Sequence, residues 1–368
     1  MSSVKGMQIH ARKGDELLEK LLSQDPAYGG RQAAIYGAVG SGKTTLLLWL
    51  AQVLQARGEW IIWRGRDTDG WHMLHSWKQR VKLLVHEKDE VHVYKVPYGG
   101  TTATEITKSL NIEKYSTPED LLTKLEQDKI NIVYEPTFYQ ITQELATYIL
   151  ARTNIRIPSW QMKEAKGIYF WFELFEKLIT RKDRRWITII VDEADDLIPA
   201  NPQGLQWRLQ EWVKNSVKDF RKNLITLILA VHNAEDCDHR VIRKLPIRIY
   251  LQGARVDKDS LMTDKTITQR LNPGEAKIEW RGFGYGGFKF PPLERRDYAI
   301  IVEKKWTGEL PKFEEDKRTA GSIIQELREI AEEEGIEEAL ERAWELVQEG
   351  VITKRYYYQI RKALREES

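Results

Sequence analysis

Short apolar runs alternate along the chain with longer stretches in which apolar residues recur at helical spacing. Continuous apolar runs bounded by polar or turn-forming residues are typical of buried parallel strands, because both faces of such a strand are covered. The pattern predicts strands at 33–36, 59–63, 130–134, 187–192, 224–231 and 247–251. Helical spacing predicts helices at 15–22, 46–54, 119–126, 167–180 and 205–222. We therefore expect an α/β fold built on a mainly parallel sheet.

Further elements lie outside this regular alternation. The stretch at about 78–183 is longer than one strand and helix need, so we expect a helical insertion there, with an extra strand at 91–96. Ile278–Phe290 predicts a hairpin with a glycine tip, and Tyr298–Val302 a strand that completes or edges the sheet. The helix at 167–180 is apolar on most faces but too short to span a membrane, so it should pack on the sheet.

The composition changes near residue 313, where three apolar stripes at helical spacing predict three helices. Residues 322–350 contain ten glutamates against two arginines. The last helix is basic instead, through Lys354, Arg355, Arg361, Lys362 and Arg365. A basic helix after a short glycine turn resembles the recognition helix of a helix-turn-helix DNA-binding unit. A helical oligomerisation or lid bundle and a loose tail are the alternatives.

The chain therefore divides into three predicted parts. Residues 1–30 form an N-terminal arm, 31–312 the core with its insertion at about 78–183, and 313–368 the small helical C-terminal domain. The arm carries one amphipathic helix and would act as a lid or as a contact to a neighbouring subunit.

The most specific chemical motif is GAVGSGKTT, between the first predicted strand and the helix at 46–54. It satisfies the phosphate-binding pattern GxxxxGK[ST] in the strand–loop–helix context that this pattern requires. Its glycines let successive backbone N–H groups converge on a phosphate, and the helix N-terminus adds partial positive charge. Lys43 should reach the β- and γ-phosphates, and Thr44 should bind Mg²⁺. The predicted nucleotide-binding residues are Gly37, Gly40, Ser41, Gly42, Lys43, Thr44 and Thr45.

A second motif, ITIIVDE at 187–193, indicates the reaction. A buried parallel strand delivers the acid that follows it to the carboxyl edge of the sheet, where ligands bind. Asp192 would hold Mg²⁺ through water, and Glu193 would polarise the water that attacks the γ-phosphate. A kinase would need an acceptor site here, and a switch GTPase of the Ras type would lack the second acid. The two acids therefore favour ATP hydrolysis, with ATP and Mg²⁺ as cofactors.

A third apolar strand, 224–231, ends in His232 and Asn233. In a parallel sheet it should lie between the two motif strands, so that its polar end faces the γ-phosphate. We expect His232, or else Asn233, to sense the phosphate or orient water; a plain turn is the alternative. The preceding helix ends in Arg221 and Lys222, cations that a helix C-terminus favours in any case.

The order of these elements resembles the HerA/FtsK group of ring-forming ATPases over about residues 31–255. The resemblance rests on Asp192, Glu193, Arg221, Lys222 and His232. It implies a RecA-like P-loop fold of the ASCE division and an arginine finger, Arg221, that acts in the neighbouring subunit's site. The group usually has glutamine where this chain has His232. In the more distant AAA+ ATPases the finger lies near the next strand, which would select Arg240 or Arg243.

The resemblance further implies a hexameric ring that moves along double-stranded DNA. The 36 residues before the phosphate loop are too few for the barrel of the repair-helicase members, which leaves relatives that package viral genomes or translocate plasmid DNA. The alternative is an AAA+-like nucleotide switch that regulates replication or transcription of a mobile element. DNA contacts are expected from the basic last helix or from the glycine- and aromatic-rich hairpin at 281–289. That hairpin would otherwise be structural, with its aromatic residues packed on the core.

The amino-acid composition excludes some classes of protein but does not indicate a function. Lys and Arg number 57 against 55 Asp and Glu, so the net charge of +2 gives no global attraction to nucleic acid, and DNA affinity must come from local patches. Such dense opposing charge is typical of thermophilic proteins. The single Cys237 excludes a disulfide framework and a cysteine-rich zinc site. Neither a membrane span nor a signal-peptide core occurs in the sequence, so we expect a cytoplasmic protein, in the host if a virus or plasmid encodes it.

Overall fold

The computed structural model of the protein describes residues 13–68, 70–294, 296–310, 320–348 and 351–366. Its strands in chain order are β1 (Gln32–Tyr36), β2 (Trp60–Arg64), β3 (Val81–His86), β4 (Asp89–Pro97), β5 (Thr104–Glu105), β6 (Ile112–Tyr115), β7 (Ile130–Tyr134), β8 (Ile187–Val191), β9 (Ile225–Val231), β10 (Ile247–Tyr250), β11 (Glu275–Trp280), β12 (Gly284–Lys289) and β13 (Tyr298–Trp306). Its helices are α1 (13–22), α2 (Lys43–Ala56), α3 (Trp77–Arg80), α4 (Pro118–Lys124), α5 (Gln143–Thr153), α6 (Ser159–Met162), α7 (Tyr169–Thr180), α8 (Gly204–Lys222), α9 (His239–Ile242), α10 (Ala320–Glu333), α11 (Ile336–Gln348) and α12 (Lys354–Glu366). The predicted α/β class is confirmed.

The larger of two sheets has ten strands in the order β12-β11-β10-β1-β9-β8-β2-β7-β3-β6. The strands from β10 to β6 run parallel, and the β11–β12 hairpin adds two antiparallel strands at one edge. β9 lies between β1 and β8, as predicted for the strand at 224–231. Tyr36 pairs with Val231 and Val191 pairs with Leu229, so the three strands end at one edge of the sheet. The residues that follow them are therefore brought together.

Helices cover both faces of this sheet, as its continuous apolar strands require. On one face α2 buries Leu46 and Leu50 completely. On the other face α8 turns Leu209, Trp212 and Phe220 inward at helical spacing. α7, apolar on most faces in the sequence, is buried along nearly its whole length against the same side. Within the described part of the chain, no helix is both long enough and apolar enough to cross a membrane.

The smaller sheet is antiparallel, in the order β13-β4-β5. It corrects one prediction, because Tyr298–Val302 lies here, paired with β4, and does not extend the larger sheet. Apolar patterning predicts a strand but not its partner, and this partner lies far away in the sequence. Thr68 bridges Ile301, and the Val302 N–H donates to the Asp67 carbonyl at 2.8 Å. The smaller sheet is thereby attached to the segment that follows β2.

The stretch predicted as a helical insertion also contributes to the larger sheet. β3, β6 and β7 all come from it and extend the sheet beyond β2. β3 and β6 did not emerge from the apolar pattern because charged residues interrupt it, Lys82 in β3 and Glu113 and Lys114 in β6. Lys82 in β3 is buried, and its ammonium lies 2.6 Å from a carboxylate oxygen of both Glu113 and Glu126. This double ion pair lets a lysine occupy a covered strand.

The three C-terminal helices predicted after residue 313 are present as α10, α11 and α12. They share a separate apolar cluster that includes Leu327, Leu340, Leu346 and Ile360. The predicted start of this domain and the glycine turn at Gly350 lie outside the described residues. We call α10–α12 the C-terminal unit.

Candidate active site

The phosphate loop lies between β1 and α2 at the carboxyl edge of the larger sheet. Gly40 and Gly42 have φ angles of 75° and 93°, which favour glycine. None of the described side chains caps the first N–H groups of α2, so these donors face the loop. A Cβ at Gly40 would meet no described atom within 4 Å. Among the described residues, the buried Ser41 hydroxyl has no hydrogen-bond partner. The loop thus offers open space and donors that suit a phosphate group.

Lys43 is the buried cation of this loop. Its ammonium donates to the carbonyl oxygens of Gly37 at 2.8 Å and Ala38 at 3.2 Å. It also lies 2.9 Å from Nδ1 of His232. Because an ammonium group can only donate, Nδ1 accepts and the imidazole proton sits on Nε2. Burial lowers the pKa of Lys43, and the nearby carboxylates of Asp192 and Glu193 oppose that effect.

Thr44 and Asp192 form the predicted metal-binding pair. The Thr44 hydroxyl donates to Oδ2 of Asp192 at 2.6 Å. Burial raises the pKa of Asp192, and the hydrogen bond from Thr44 opposes the shift. Hydroxyl and carboxylate oxygens are the hard ligands that Mg²⁺ prefers, and these two converge beside the phosphate loop. The donor set therefore fits Mg²⁺ bound together with a nucleotide.

Glu193, the predicted water-polarising acid, follows Asp192 in a left-handed backbone conformation with φ of 52°. Its carboxylate forms an ion pair with Arg66. Arg66 also lies 3.7 Å from a carboxylate oxygen of Asp196. The sequence did not point to Arg66, because this residue comes from the loop after β2. Only the position of β2 next to β8 brings the two side chains together.

The two polar residues after β9 point to different places. His232 contacts Lys43, as described above, whereas the Asn233 side chain donates to Oδ2 of Asp236 at 3.2 Å. The Asn233 backbone N–H donates to the same oxygen at 3.0 Å. Asn233 therefore closes a local turn, and His232 is the residue at the nucleotide site. Their catalytic roles remain predictions.

The candidate arginine fingers Arg221 and Arg243 lie at the amino edge of the sheet, away from the chain's own phosphate loop. Arg221 lies in the last turn of α8 at the amino edge of the sheet, where its carbonyl accepts from the Gly30 N–H at 2.8 Å. β9, seven residues long, separates that edge from His232 by about 20 Å. Arg240 is held by Asp238 and by Glu211. Arg243 is exposed just before β10, also at the amino edge.

The glycine- and aromatic-rich hairpin at 281–289 is present as β11–β12, but its aromatic residues are packed. Phe283 lies 5.2 Å from Trp280 and 5.7 Å from Tyr28 between ring centroids. The Lys20 ammonium lies 4.2 Å from the Phe283 ring centroid. Arg281 pairs with Asp259. These contacts favour the structural interpretation of this hairpin over the DNA-contacting one.

The phosphate loop, the Thr44–Asp192 contact and the placement of β9 between the two motif strands define a P-loop NTPase, and the chain is an ATP-hydrolysing enzyme of this class. The family profile described as ABC transporter matches residues 27–141. That range contains the phosphate loop but not Asp192, and it is less than half of the 368 residues. It confirms the nucleotide-binding fold without assigning the chain to transporters. Comparison with curated protein sequences gives no match.

Three solved structures illustrate the distant likeness in fold. The genome packaging NTPase B204 from Sulfolobus turreted icosahedral virus 2, in complex with sulfate, is 13% identical with a TM-score of 0.41, over 74% of this chain and 100% of B204. The pCW3 conjugation coupling protein TcpA is 15% identical with a TM-score of 0.34, over 71% of this chain and 60% of TcpA. The cytoplasmic domain of the type VII secretion ATPase EccC from Thermomonospora curvata is 10% identical with a TM-score of 0.34, over 73% of this chain and 24% of the EccC chain. Likeness at this level carries no functional argument.

Proposed function

We propose that the protein is a ring-forming motor that uses ATP hydrolysis to move double-stranded DNA. The observation that carries this proposal is the orientation of the C-terminal unit. Four of its glutamates contact the core: Glu341 pairs with Arg208, Glu338 lies 3.8 Å from Arg156, Glu345 accepts from Gln161 at 3.4 Å, and Glu334 accepts from the Ser159 N–H at 2.7 Å. The charge of these four glutamates is directed at the core, whereas Glu337 lies 3.6 Å from Arg365 on α12.

α12 in contrast presents cations to solvent. The exposed basic residues of this helix include Lys354, Arg355 and Lys362. Tyr358, on the same helix, is 59% exposed. A basic, partly aromatic helix surface suits a phosphate backbone, because cations displace condensed counterions from DNA. α12 is therefore a DNA-docking surface attached to the ATPase core.

The nucleotide site supplies the chemistry for such a motor. Lys43 and the loop N–H groups hold the phosphates, and Glu193 polarises the attacking water. Thr44 and Asp192 would hold Mg²⁺, which would supply positive charge to the phosphates during hydrolysis. His232, in contact with Lys43, is placed to sense the γ-phosphate.

Ring assembly gives Arg221 a role. This arginine lies about 20 Å from its own site, measured along β9, so it can stabilise a transition state only in a neighbouring subunit. A ring, as a hexamer, brings each amino edge to a neighbour's nucleotide. Electron microscopy with ATP and DNA tests the assembly, and displacement of a bound third strand tests movement along the duplex.

The contribution of α12 is tested by its salt dependence. Replacing Lys354, Arg355 and Lys362 together with glutamine should lower the log–log salt slope of duplex binding by roughly three, since each phosphate contact contributes about 0.9. Basal ATP hydrolysis should persist. Lys218→Gln on α8, which is also exposed, is the matched control and should leave the slope unchanged. A slope that stays the same in the triple variant would exclude α12 as the docking surface.

The second candidate function is an AAA+-like nucleotide switch. The Arg66–Glu193 ion pair favours it, because a Glu193 carboxylate held by Arg66 would polarise water poorly. ATP would then be hydrolysed slowly and would stay bound to the protein for longer. Slow turnover by a monomer, unaffected by DNA, would support the switch. Fast turnover that DNA stimulates in a ring would support the motor.

A further inference from the structure

We propose that three aromatic rings of the C-terminal unit, Trp344, Tyr357 and Tyr358, form a surface on which unpaired DNA bases stack. This inference rests on the proposed function and deepens it, because it names single-stranded DNA, at a duplex end or in an overhang, as the form that this surface selects. A duplex backbone accounts for the cations of α12 but not for exposed rings beside them, since stacking needs the face of a base. We call the three rings the aromatic surface.

The three rings are in contact with one another. The ring centroids of Trp344 and Tyr357 lie 5.1 Å apart, and those of Tyr357 and Tyr358 lie 5.4 Å apart. The interplanar angles are 66° and 69°, so the rings do not stack in parallel on each other. Tyr357 is half-buried against the apolar cluster of the C-terminal unit and anchors the group. Tyr358 is 59% exposed and Trp344 37% exposed, so both present ring surface to solvent.

Cations flank Tyr358 on its own helix. Lys354 comes four residues before it and Lys362 four residues after it, so the three side chains lie along one side of α12. All three are exposed. Each lysine is displaced from Tyr358 by about 6 Å along the helix axis. A ring between two cations combines the two contacts that single-strand binding uses, a stacked base and a neutralised phosphate.

Charge complementarity favours nucleic acid as the partner of this surface. The sequence from Gly350 to Arg365 contains five Lys and Arg residues and neither Asp nor Glu. On α11 the acids closest to Trp344 in the sequence are engaged, because Glu341 pairs with α8 and Glu345 lies 3.4 Å from an arginine of its own helix. A basic segment without acids attracts a polyanion.

The exposed rings select the unpaired form of that polyanion. Within a duplex each base is stacked between its neighbours along the strand, so its faces are covered. In a single strand the faces are accessible, and every base has one, so that stacking does not depend on sequence. We therefore expect the aromatic surface to bind single strands of any sequence, and to bind a duplex with an overhang more tightly than a blunt duplex.

Stacking is tested in the full-length protein with three substitutions of Tyr358. The probes are a labelled single-stranded oligonucleotide, the blunt duplex that contains it and the same duplex with an overhang, all at one salt concentration. Tyr358→Ala and Tyr358→Leu should bind the single strand and the overhang about 5- to 150-fold more weakly, which is the loss of one stacked base. Both variants should bind the blunt duplex as wild type does. Tyr358→Phe should keep its affinity because it keeps the ring.

Tyr98→Ala is the matched control, since Tyr98 is 68% exposed elsewhere on the chain and should not affect any of the three probes. Unchanged single-strand affinity in Tyr358→Ala would overturn the inference. Retained affinity in Tyr358→Leu would overturn it as well, because an apolar side chain without a ring would then suffice. Equal losses for single strand and blunt duplex would also overturn it, since the ring would then contact DNA without selecting unpaired bases.

The cations are tested separately, because they contact phosphates in both forms of DNA. Replacing Lys354 and Lys362 together with glutamine should lower the log–log salt slope by about 1.4 for the single strand and about 1.8 for the duplex. An unchanged single-strand slope would overturn their place in the aromatic surface. Wild-type protein that binds blunt duplex and shows no preference for an overhang would refute this inference alone. Wild-type protein that binds no form of DNA would refute the proposed function itself.

Discussion

Replacing Glu193 with glutamine tests the role of one carboxylate in ATP hydrolysis. The substitution keeps the size of the side chain and removes its charge. Lys43, Thr44 and Asp192 keep their contacts, including the 2.6 Å hydrogen bond between Thr44 and Asp192. We therefore expect nucleotide affinity to be retained and turnover to be lost, so that the variant holds ATP without hydrolysing it.

Two effects of very different size are expected. A positioned general base contributes about 10²- to 10⁴-fold to the rate, which corresponds to roughly 2.7–5.5 kcal/mol of transition-state stabilisation. The ion pair with Arg66 is lost as well, but its side chains are 28% and 40% exposed. Exposed pairs of this kind contribute about 0–1 kcal/mol. The kinetic effect should therefore greatly exceed any change in stability.

The assay combines equilibrium binding of a fluorescent ATP analogue, steady-state turnover and thermal unfolding. Glu19→Gln is the matched control, because Glu19 pairs with Arg57 on the surface at 2.7 Å, away from the nucleotide. The control should lose an exposed ion pair and keep its turnover. Turnover of Glu193→Gln within about tenfold of wild type would refute the assignment of Glu193, since a general base is worth at least about 10²-fold.

Three further outcomes follow from the structure. Lys43→Ala should lose most ATP affinity in a binding titration, because the loop then lacks its buried cation. Arg221→Ala should bind ATP and assemble but not hydrolyse ATP, and mixing it with Lys43→Ala protein should restore partial activity. If mixing restored activity with Arg243→Ala instead, Arg243 would be the arginine finger. Burial, opposed by Arg342, raises the pKa of Glu345 to about 7. Ionisation of Glu345 therefore lowers the free energy of unfolding as the pH rises from about 4.5 through 7. Glu345→Gln should accordingly raise the free energy of unfolding by about 1 kcal/mol at pH 8 and leave it unchanged at pH 4, as measured by thermal unfolding at the two pH values.

Local information was sufficient for the nucleotide-binding elements. The phosphate loop is a contiguous motif, and the glycine conformations it needs are properties of those residues. The apolar run before Asp192 predicts its own strand, and the rule that parallel strands share a carboxyl edge placed β9 correctly between β1 and β8. The basic character of the last helix is equally visible in the sequence.

Contacts between distant segments depended on the tertiary structure. Arg66 meets Glu193 only because β2 lies beside β8, and no periodicity records which strands are neighbours. The pairing of β4 with β13, which removed Tyr298–Val302 from the larger sheet, has the same origin. The ion pair between Glu341 of the C-terminal unit and Arg208 of α8 likewise joins segments that lie far apart in the sequence. Apolar spacing defines which face of an element is buried, but the choice of partner depends on packing across the whole fold.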